Sequence, residues 1–510
     1  MSAEETESKP RTYGNWMKPE EKGILPGLGP LGTGIIFMVC IVLVLLVIKT
    51  EWIAAACVTL AGVMLLWLVT HRDQHGKSAA DKIIVRVGWW RSRRKKENVW
   101  RAGTLGYGRP GSVMLPGILG QVELAEGTDA TGVPFGVLFC PRQDTYTVVV
   151  NSSPSGEDLV DRDQIDRWVA MWGVFKADMA DEQGLQHFGV TIETRPENPL
   201  QLKQEVDRLR GPREEEDEFS MSVLQEIVRT YPRGSTDVQA YLFFTFSADR
   251  GKRKGVSTKK KRLQEFLQEF GPRLPYLVQK VQETGAGACH PMSAQELCRY
   301  VRIAYDSQAK DLFEEADALG QDVTMDWSQC GPMAAEASWD SYRHDGDVSV
   351  TWELTQAPRG AVQSSILRRF LSPQANLSSK RVTWLFRPVP PEKTGDLVDS
   401  DVITAQYQMT LNKSKPTARA MRRMRAATQT AEEEANGAGL ENFSAFCTAT
   451  IAKDADLHDA TAAVESLAAT ARLRLRKVYG SQDSAFAACL PLGLDTRRYT
   501  VIPAEVSEKL

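Results

Sequence analysis

No Cys-x-x-Cys pair, no His-Glu-x-x-His motif and no Gly-x-Ser-x-Gly elbow occurs in these 510 residues. Each absence closes a chemistry. The eight cysteines, Cys40, Cys57, Cys140, Cys289, Cys298, Cys330, Cys447 and Cys489, lack the paired spacing of zinc ribbons and dithiol redox centres. Cys289-His290 with Cys298 has no fourth ligand nearby, and six scattered histidines form no metal pair. A net charge of −3, with 25% of residues charged, excludes a chain that binds nucleic acid over its whole surface. The acidic runs Glu214–Glu218 and Glu432–Glu434 have the spacing of solvated faces rather than of a catalytic carboxylate pair.

Two phosphate-binding patterns come close and fail. Gly106-Tyr107-Gly108-Arg109-Pro110-Gly111 matches a dinucleotide fingerprint by letter. That fingerprint needs a strand before it and a helix opening from it. A basic helix precedes it here, and Pro110 with the β-rich Val113–Leu119 follows, so it reads as a turn. His71–Ser78 ends in Gly76-Lys77-Ser78 but has no first glycine and no upstream strand. Tyr342-Arg343-His344-Asp345 reads as a charged structural pair. No catalytic, cofactor-binding or metal residue is assigned, and no cofactor is expected.

What the chain does have is two apolar runs, Leu31–Ile48 and Trp52–Thr70, separated by Lys49, Thr50 and Glu51. Each has about the length of one membrane span, so the pair reads as a transmembrane hairpin. Arg11, Lys18 and Lys22 before it, and Arg72 to Lys96 after it, place both flanks on the cytoplasmic side of a plasma (inner) membrane. The expected organisation is a tail over 1–30, then the hairpin and a basic juxtamembrane helix over 31–97. Cytoplasmic α/β domains follow over 98–325 and 326–510. In that helix Lys82, Arg86, Trp89, Trp90 and Arg93 form a candidate lipid interface, with packing on its own protein as the alternative.

From Gln121 on, β-rich segments alternate with helical periods, twice in the same order. Each series reads strand, helix, strand, helical insertion, strand, helix, strand and a terminal helix. The expected class is α+β: the hairpin followed by two tandem ferredoxin-like α/β sandwiches. Two basic segments, Arg250–Lys254 with Lys259–Arg262, and Lys413 to Arg425, can hold phosphates or face a partner.

Asn442–Leu492, with its acidic turn Asp454-Ala455-Asp456 and its Leu490-Pro491-Leu492-Gly493 end, resembles part of the N-terminal region of the TrbE/CagE assembly ATPases. The PrgI-like hairpin in front of such a region resembles an arrangement of conjugation and type IV secretion. A resemblance over nearly the whole chain is to actinobacterial conjugal-transfer proteins that carry this hairpin and region without the ATPase. It rests on Tyr13-Gly14-Asn15-Trp16, Trp89-Trp90, Arg302–Asp306, Cys330-Gly331-Pro332, Trp339–Asp345, Ala357–Val362 and Lys380-Arg381-Val382. The ATPase motor would begin near Pro503, and this chain stops at Leu510.

The resemblance implies a non-enzymatic membrane subunit of a transfer machine, oligomeric within its complex. Its partners would be a separate motor ATPase, other membrane subunits and the lipid bilayer. The alternatives are a membrane-tethered DNA-handling protein or an enzyme with an unrecognised site. Trp339, Tyr342, Arg343 and Arg359 are the candidate partner interface, being of the residue types that anchor interfaces.

Overall fold

The computed structural model describes residues 12–14 and 16, then 30–499 apart from 51, 72, 104–114, 155, 157–158, 197–218, 221, 225, 227–235, 249–258, 359, 375 and 412–416. The Gly106–Gly111 turn, the first basic segment up to residue 258, Glu214–Glu218, Arg359, Lys413 and Lys415 therefore lie outside the described residues.

Two helices, Pro30–Ile48 and Trp52–Thr70, stand where the apolar runs are, joined through Thr50 at a positive φ of 59°. Gly62 lets them approach closely, since a Cβ there would meet the Val39 side chain at 2.8 Å. Large apolar side chains such as Phe37, Ile41, Trp52, Leu60 and Trp67 are exposed on the hairpin. The expected membrane assignment is corrected: among the described residues, no helix is long and apolar enough to cross a membrane. Each helix has 19 residues, near the lower end of the roughly 17–25 that a crossing takes. The described side chains within each make a shorter stretch still. The two transmembrane spans, the plasma-membrane location and the cytoplasmic placement of both termini are accordingly withdrawn.

The basic helix Ala79–Arg94 follows, opened by a capping box in which Ser78 accepts from Asp81 N–H and Asp81 accepts from Ser78 N–H. After β1 (Val99–Arg101) and a 3₁₀ turn at Gly117–Gln121, in and just after the β-rich run Val113–Leu119, the first half begins. It runs β2 (Glu123–Thr128), β3 (Pro134–Cys140), β4 (Thr145–Ser153), helix Arg162–Asp181, β5 (Leu185–Pro196) and β6 (Thr236–Ser247). Helices Lys259–Phe270 and Leu274–Val281, β7 (Ala288–Pro291) and helix Ala294–Tyr305 close it. Gly271 and Pro272 separate the paired helices.

After helix Ala309–Ala318 the order recurs with β8 (Ala334–Ala337), β9 (Tyr342–His344), β10 (Asp347–Gln356), helix Arg368–Leu371 and β11 (Ser379–Pro388). Helices Pro391–Leu411 and Ala418–Ala435 stand on either side of Pro416, followed by β12 (Glu441–Ala452), helix Leu457–Thr470, β13 (Arg474–Lys477) and helix Gln482–Ala488.

The spatial order β7-β4-β6-β5 in the first half is matched by β13-β10-β12-β11 in the second, the order of a split βαβ unit. The expectation of two separate sandwiches is corrected by the next step. β5 pairs antiparallel with β11, from Phe188 opposite Phe386 to Thr194 opposite Lys380, so both halves belong to one sheet, of 13 strands among the described residues. The halves correspond residue by residue. Thr147 opposes Thr245, and Thr351 opposes Thr448; across the next strand Thr245 faces His187 and Thr448 faces Arg381. His187 and Arg381 are thus equivalent, and Val190 facing Trp384 marks the centre of the relation.

Alternation along the strands gives the sheet two unlike faces. One is apolar: Phe188, Phe244 and Phe386 meet helices Arg162–Asp181 and Lys259–Phe270, while Trp352, Val382 and Cys447 meet helix Leu457–Thr470. Ring centroids of Phe188 and Phe386 lie 5.2 Å apart across the seam. The other face is covered by helices Ala294–Tyr305 and Gln482–Ala488, yet carries threonines hydrogen-bonded in pairs: Thr147–Thr245, Thr191–Thr383 and Thr351–Thr448, at 2.8–2.9 Å. Each hydroxyl supplies its neighbour's missing partner, which removes the cost of burying it alone.

Gly493 crosses directly over the first of these pairs. Its φ is +69°, and a Cβ would come within 2.2 Å of Thr147 Oγ1 and 2.4 Å of Thr245 Oγ1. Left-handed strain and overpacking combine there, so Gly493→Ala should cost at least about 2 kcal/mol in urea unfolding. Gly437→Ala, at φ +91° in open space, should cost about half as much. Equal midpoints for the two variants would contradict the packing assigned to the segment over the threonines.

Candidate functional site

The motif residues of the sequence converge at one place on the polar face. Arg302, near the end of helix Ala294–Tyr305, donates to Gly331 O (2.8 Å) and Asp306 Oδ2 (2.6 Å) and lies 3.1 Å from Asp345 Oδ2. Asp345 Oδ1 accepts from the N–H groups of Met333 and Ala334, at 2.8 and 3.1 Å. His344 Nδ1 lies 2.6 Å from Tyr305 O, so that nitrogen carries the proton, and its Nε2 accepts from Ser349 Oγ at 2.7 Å. Ser349 meets Thr450 at 2.7 Å. Arg302–Asp306, Cys330–Pro332 and Trp339–Asp345 thus form a fixed junction that ties the helix to the connection between the halves.

Farther along the seam lies a buried ion cluster. Glu193 Oε1 accepts from Arg195 Nε (2.9 Å), Arg195 Nη2 (2.7 Å) and Arg381 Nε (3.0 Å), and Arg381 Nη2 donates to Ala304 O at 3.3 Å. Burial alone would raise the Glu193 pKa; the charges of Arg195 and Arg381 overcome it and hold the carboxyl below its ordinary range. The equivalent end of the seam holds His187, whose ring donates to Gly493 O at 3.0 Å, and Arg387, bidentate to Asp495 at 2.8 and 2.9 Å. Against desolvation, the hydrogen bonds and charge of Arg387 bring Asp495 down to about 2. Lys380, neighbour of Arg381, points to the opposite face and donates to Ser372 O; burial lowers its pKa to about 8.

A groove of about 1530 Å³ lies between helix Ala79–Arg94 and β13. Trp89 meets Trp339 edge-on at 5.3 Å, Trp339 stacks on Tyr479 at 5.7 Å, and Arg86 lies 5.8 Å from the Trp339 ring. Gly480, at φ +75°, makes room for this stack, since a Cβ there would meet Trp339, Trp89 and Val85. At the other end Lys77 reaches Glu353 at 3.3 Å, and Lys82 pairs with Asp73 at 2.9 Å. Burial would raise Asp73, but the Lys82 bond and the N–H groups of His75 and Lys77 hold it well below the usual carboxylate range.

These contacts place the sequence candidates. Trp89 turns inward onto Trp339, while Lys82, Arg86, Trp90 and Arg93 remain exposed. Tyr342 is 2% exposed and packs on Phe486 at 5.4 Å, which makes it a core residue. Arg343 is exposed on β9, and Trp339 is half-buried. Gly76-Lys77-Ser78 is spent on an ion pair and a helix cap. The N-terminal segment, expected as a tail, instead contributes an antiparallel bridge: Tyr13 N–H to Val362 O at 2.8 Å and the reverse at 2.7 Å. Two motifs therefore pair, and a Cβ on Gly14 would meet Gly360 O at 2.7 Å. Sequence reading missed the Glu193–Arg381 cluster, whose members are far apart in the chain, and the β13 wall of the groove.

Among the described residues no group of three His, Cys, Asp or Glu side chains could hold a metal ion. No family model and no curated protein matches the chain.

The buried histidines make stability depend on pH. Burial holds His187 at about 4 and His344 at about 3, against 6.5 for an unperturbed ring. The unfolded chain takes up protons first, so their contribution is complete above pH 6.5 and is lost as pH falls toward 4 and then 3. Glu193 and Asp495 act in the same direction at lower pH, while Asp345, Asp347 and Asp483, whose pKa values burial raises, act against it. The urea midpoint should fall steadily from pH 6.5 to 4, by on the order of a few kcal/mol in total. A flat midpoint over that range would show that the rings are not buried neutral.

Proposed function

We propose that this chain is a non-enzymatic docking subunit of a conjugation or type IV-like transfer machine, holding a separate motor ATPase. The observation that carries the reading is the fused sheet. Two like halves joined by β5 and β11, and locked by charges that face one another inside, form a rigid platform of the kind an assembly presents to its partners. Arg302, His344 and Asp345 add to it, because their side chains are engaged in fixing the connection between the halves. The implied family arrangement supplies the identity of the partner.

A second reading has its own support. Arg419, Arg422 and Arg425 recur at helical spacing on Ala418–Ala435 and are all exposed. Such a ridge can follow a phosphate backbone.

Co-purification separates the two. The tagged full chain should retain a motor ATPase of the same transfer system, and Arg343→Ala should reduce that retention without changing the melting temperature. Tyr342→Ala should lower stability by about 3–5 kcal/mol, as loss of a buried ring does. Failure to retain the motor, together with salt-dependent retention on DNA that Arg419→Ala and Arg422→Ala abolish, would replace docking by DNA handling.

A further inference from the structure

We propose that the groove beside β13 takes up an extended acidic segment of a partner protein, which adds to the sheet as a further strand along β13. The proposal rests on the reading of the chain as a docking subunit and names the chemistry of what docks.

Three observations lead to it. The first is an open edge: among the described residues β13 pairs with β10 alone. Val478 N–H bonds Thr351 O at 3.0 Å, and the register continues with Lys477 opposite Trp352 and Arg476 opposite Glu353. Antiparallel alternation then turns the N–H and C=O groups of Leu475 and Lys477 away from β10, toward the open side. A row of such groups is a template for another strand.

The second observation is where the groove lies. Every residue from Leu473 to Tyr479 lines it. Successive strand residues point to opposite faces, so a cavity resting on one face of the sheet would touch only alternate ones. Contact with the whole run places the groove along the edge. Its volume of about 1530 Å³ exceeds the roughly 300–1,000 Å³ of small-molecule sites and suits a polypeptide. The far wall is helix Ala79–Arg94, pinned at one end by Trp89 on Trp339 and at the other by Lys77 on Glu353, so the trench is held open.

The third is charge. Six cations, Lys77, Lys82, Arg86, Arg474, Arg476 and Lys477, face four carboxylates, Asp73, Asp81, Glu353 and Glu465. Four of these cations are already engaged: Lys77 and Arg476 share Glu353, at 3.3 and 3.6 Å, Lys82 takes Asp73, and Lys477 lies 3.8 Å from Asp340. The surplus is positive. Arg474 and Arg476 stand two residues apart on β13, on the same side of the strand, which matches carboxylates at alternate positions of an incoming strand.

A fluorescein-labelled peptide of alternating glutamate and valine, titrated into the full chain, tests this by anisotropy, with alternating lysine and valine as control. The acidic peptide should saturate, at least tenfold more tightly than the basic one. On binding, hydrogen exchange should slow at the Leu475 and Lys477 amides in the unsubstituted chain. Lys477→Pro, which removes an outward N–H, should weaken binding at least tenfold, and Lys477→Ala by threefold or less. Equal affinity for both peptides, or binding that leaves those two amides unprotected, overturns the proposal even if the proline variant does not fold. Absence of peptide binding while the motor is still retained overturns strand addition alone; peptide binding with protection but no motor retention supports it and counts against the motor.

Discussion

The pairing of β5 with β11 is the constraint on which the rest of this structure depends. Once those two strands meet, the sheet face under helices Ala294–Tyr305 and Gln482–Ala488 passes out of reach of water. Everything polar on that face must then find a partner inside the protein. The threonine pairs, the Glu193 cluster and the Arg387–Asp495 pair follow from that requirement. A net hydrogen bond adds only about 1 kcal/mol, and buried ion pairs barely offset their desolvation. Their main effect is on register. A slip of one residue would turn Thr191, Thr383 and Arg381 toward the phenylalanines of the opposite face.

Much of the element order was legible in the sequence, because it is written in local signals. Pro272 divides the two helices beside it, and β-rich runs bounded by Gly and Asp become strands. What was not legible depends on residues far apart. Glu193 and Arg381 are separated by 188 positions, and nothing near either one announces the other. The fusion of the halves escaped notice for the same reason: β5 and β11 each lie at the edge of a complete four-stranded unit. The 3₁₀ turn at Gly117–Gln121 has enough β-forming residues to mislead, with Gly117 at φ +61° breaking the extension.

The site residues teach a related lesson. Trp, Tyr and Arg are common anchors of interfaces and equally common anchors of cores. Trp339 and Tyr342 were chosen by type; their neighbours decide their role. Tyr342 lies against Phe486 beneath the sheet, while Trp339 serves as the pin on which the basic helix rests. The bridge from Tyr13 to Val362 likewise gives two distant motifs a reason to occur together, since Gly14 must pass close to the backbone of Gly360.

Two like halves in one chain carry a hazard during assembly: either half can meet its own counterpart on another molecule through the same strand. The residue correspondence at the seam shows how this chain discriminates. In the symmetric register centred on Trp384, β11 of one molecule against β11 of another would set Arg381 opposite Arg387, twice, with no carboxylate between them. β5 against β5, centred on Val190, would set Glu193 opposite His187 and leave Glu193 with Arg195 alone, without Arg381. Only β5 against β11 places Glu193 beside Arg381 and leaves Arg387 free to take Asp495. Divergence of the two halves at these four positions turns a seam that symmetry would make promiscuous into one that recognises its own other half.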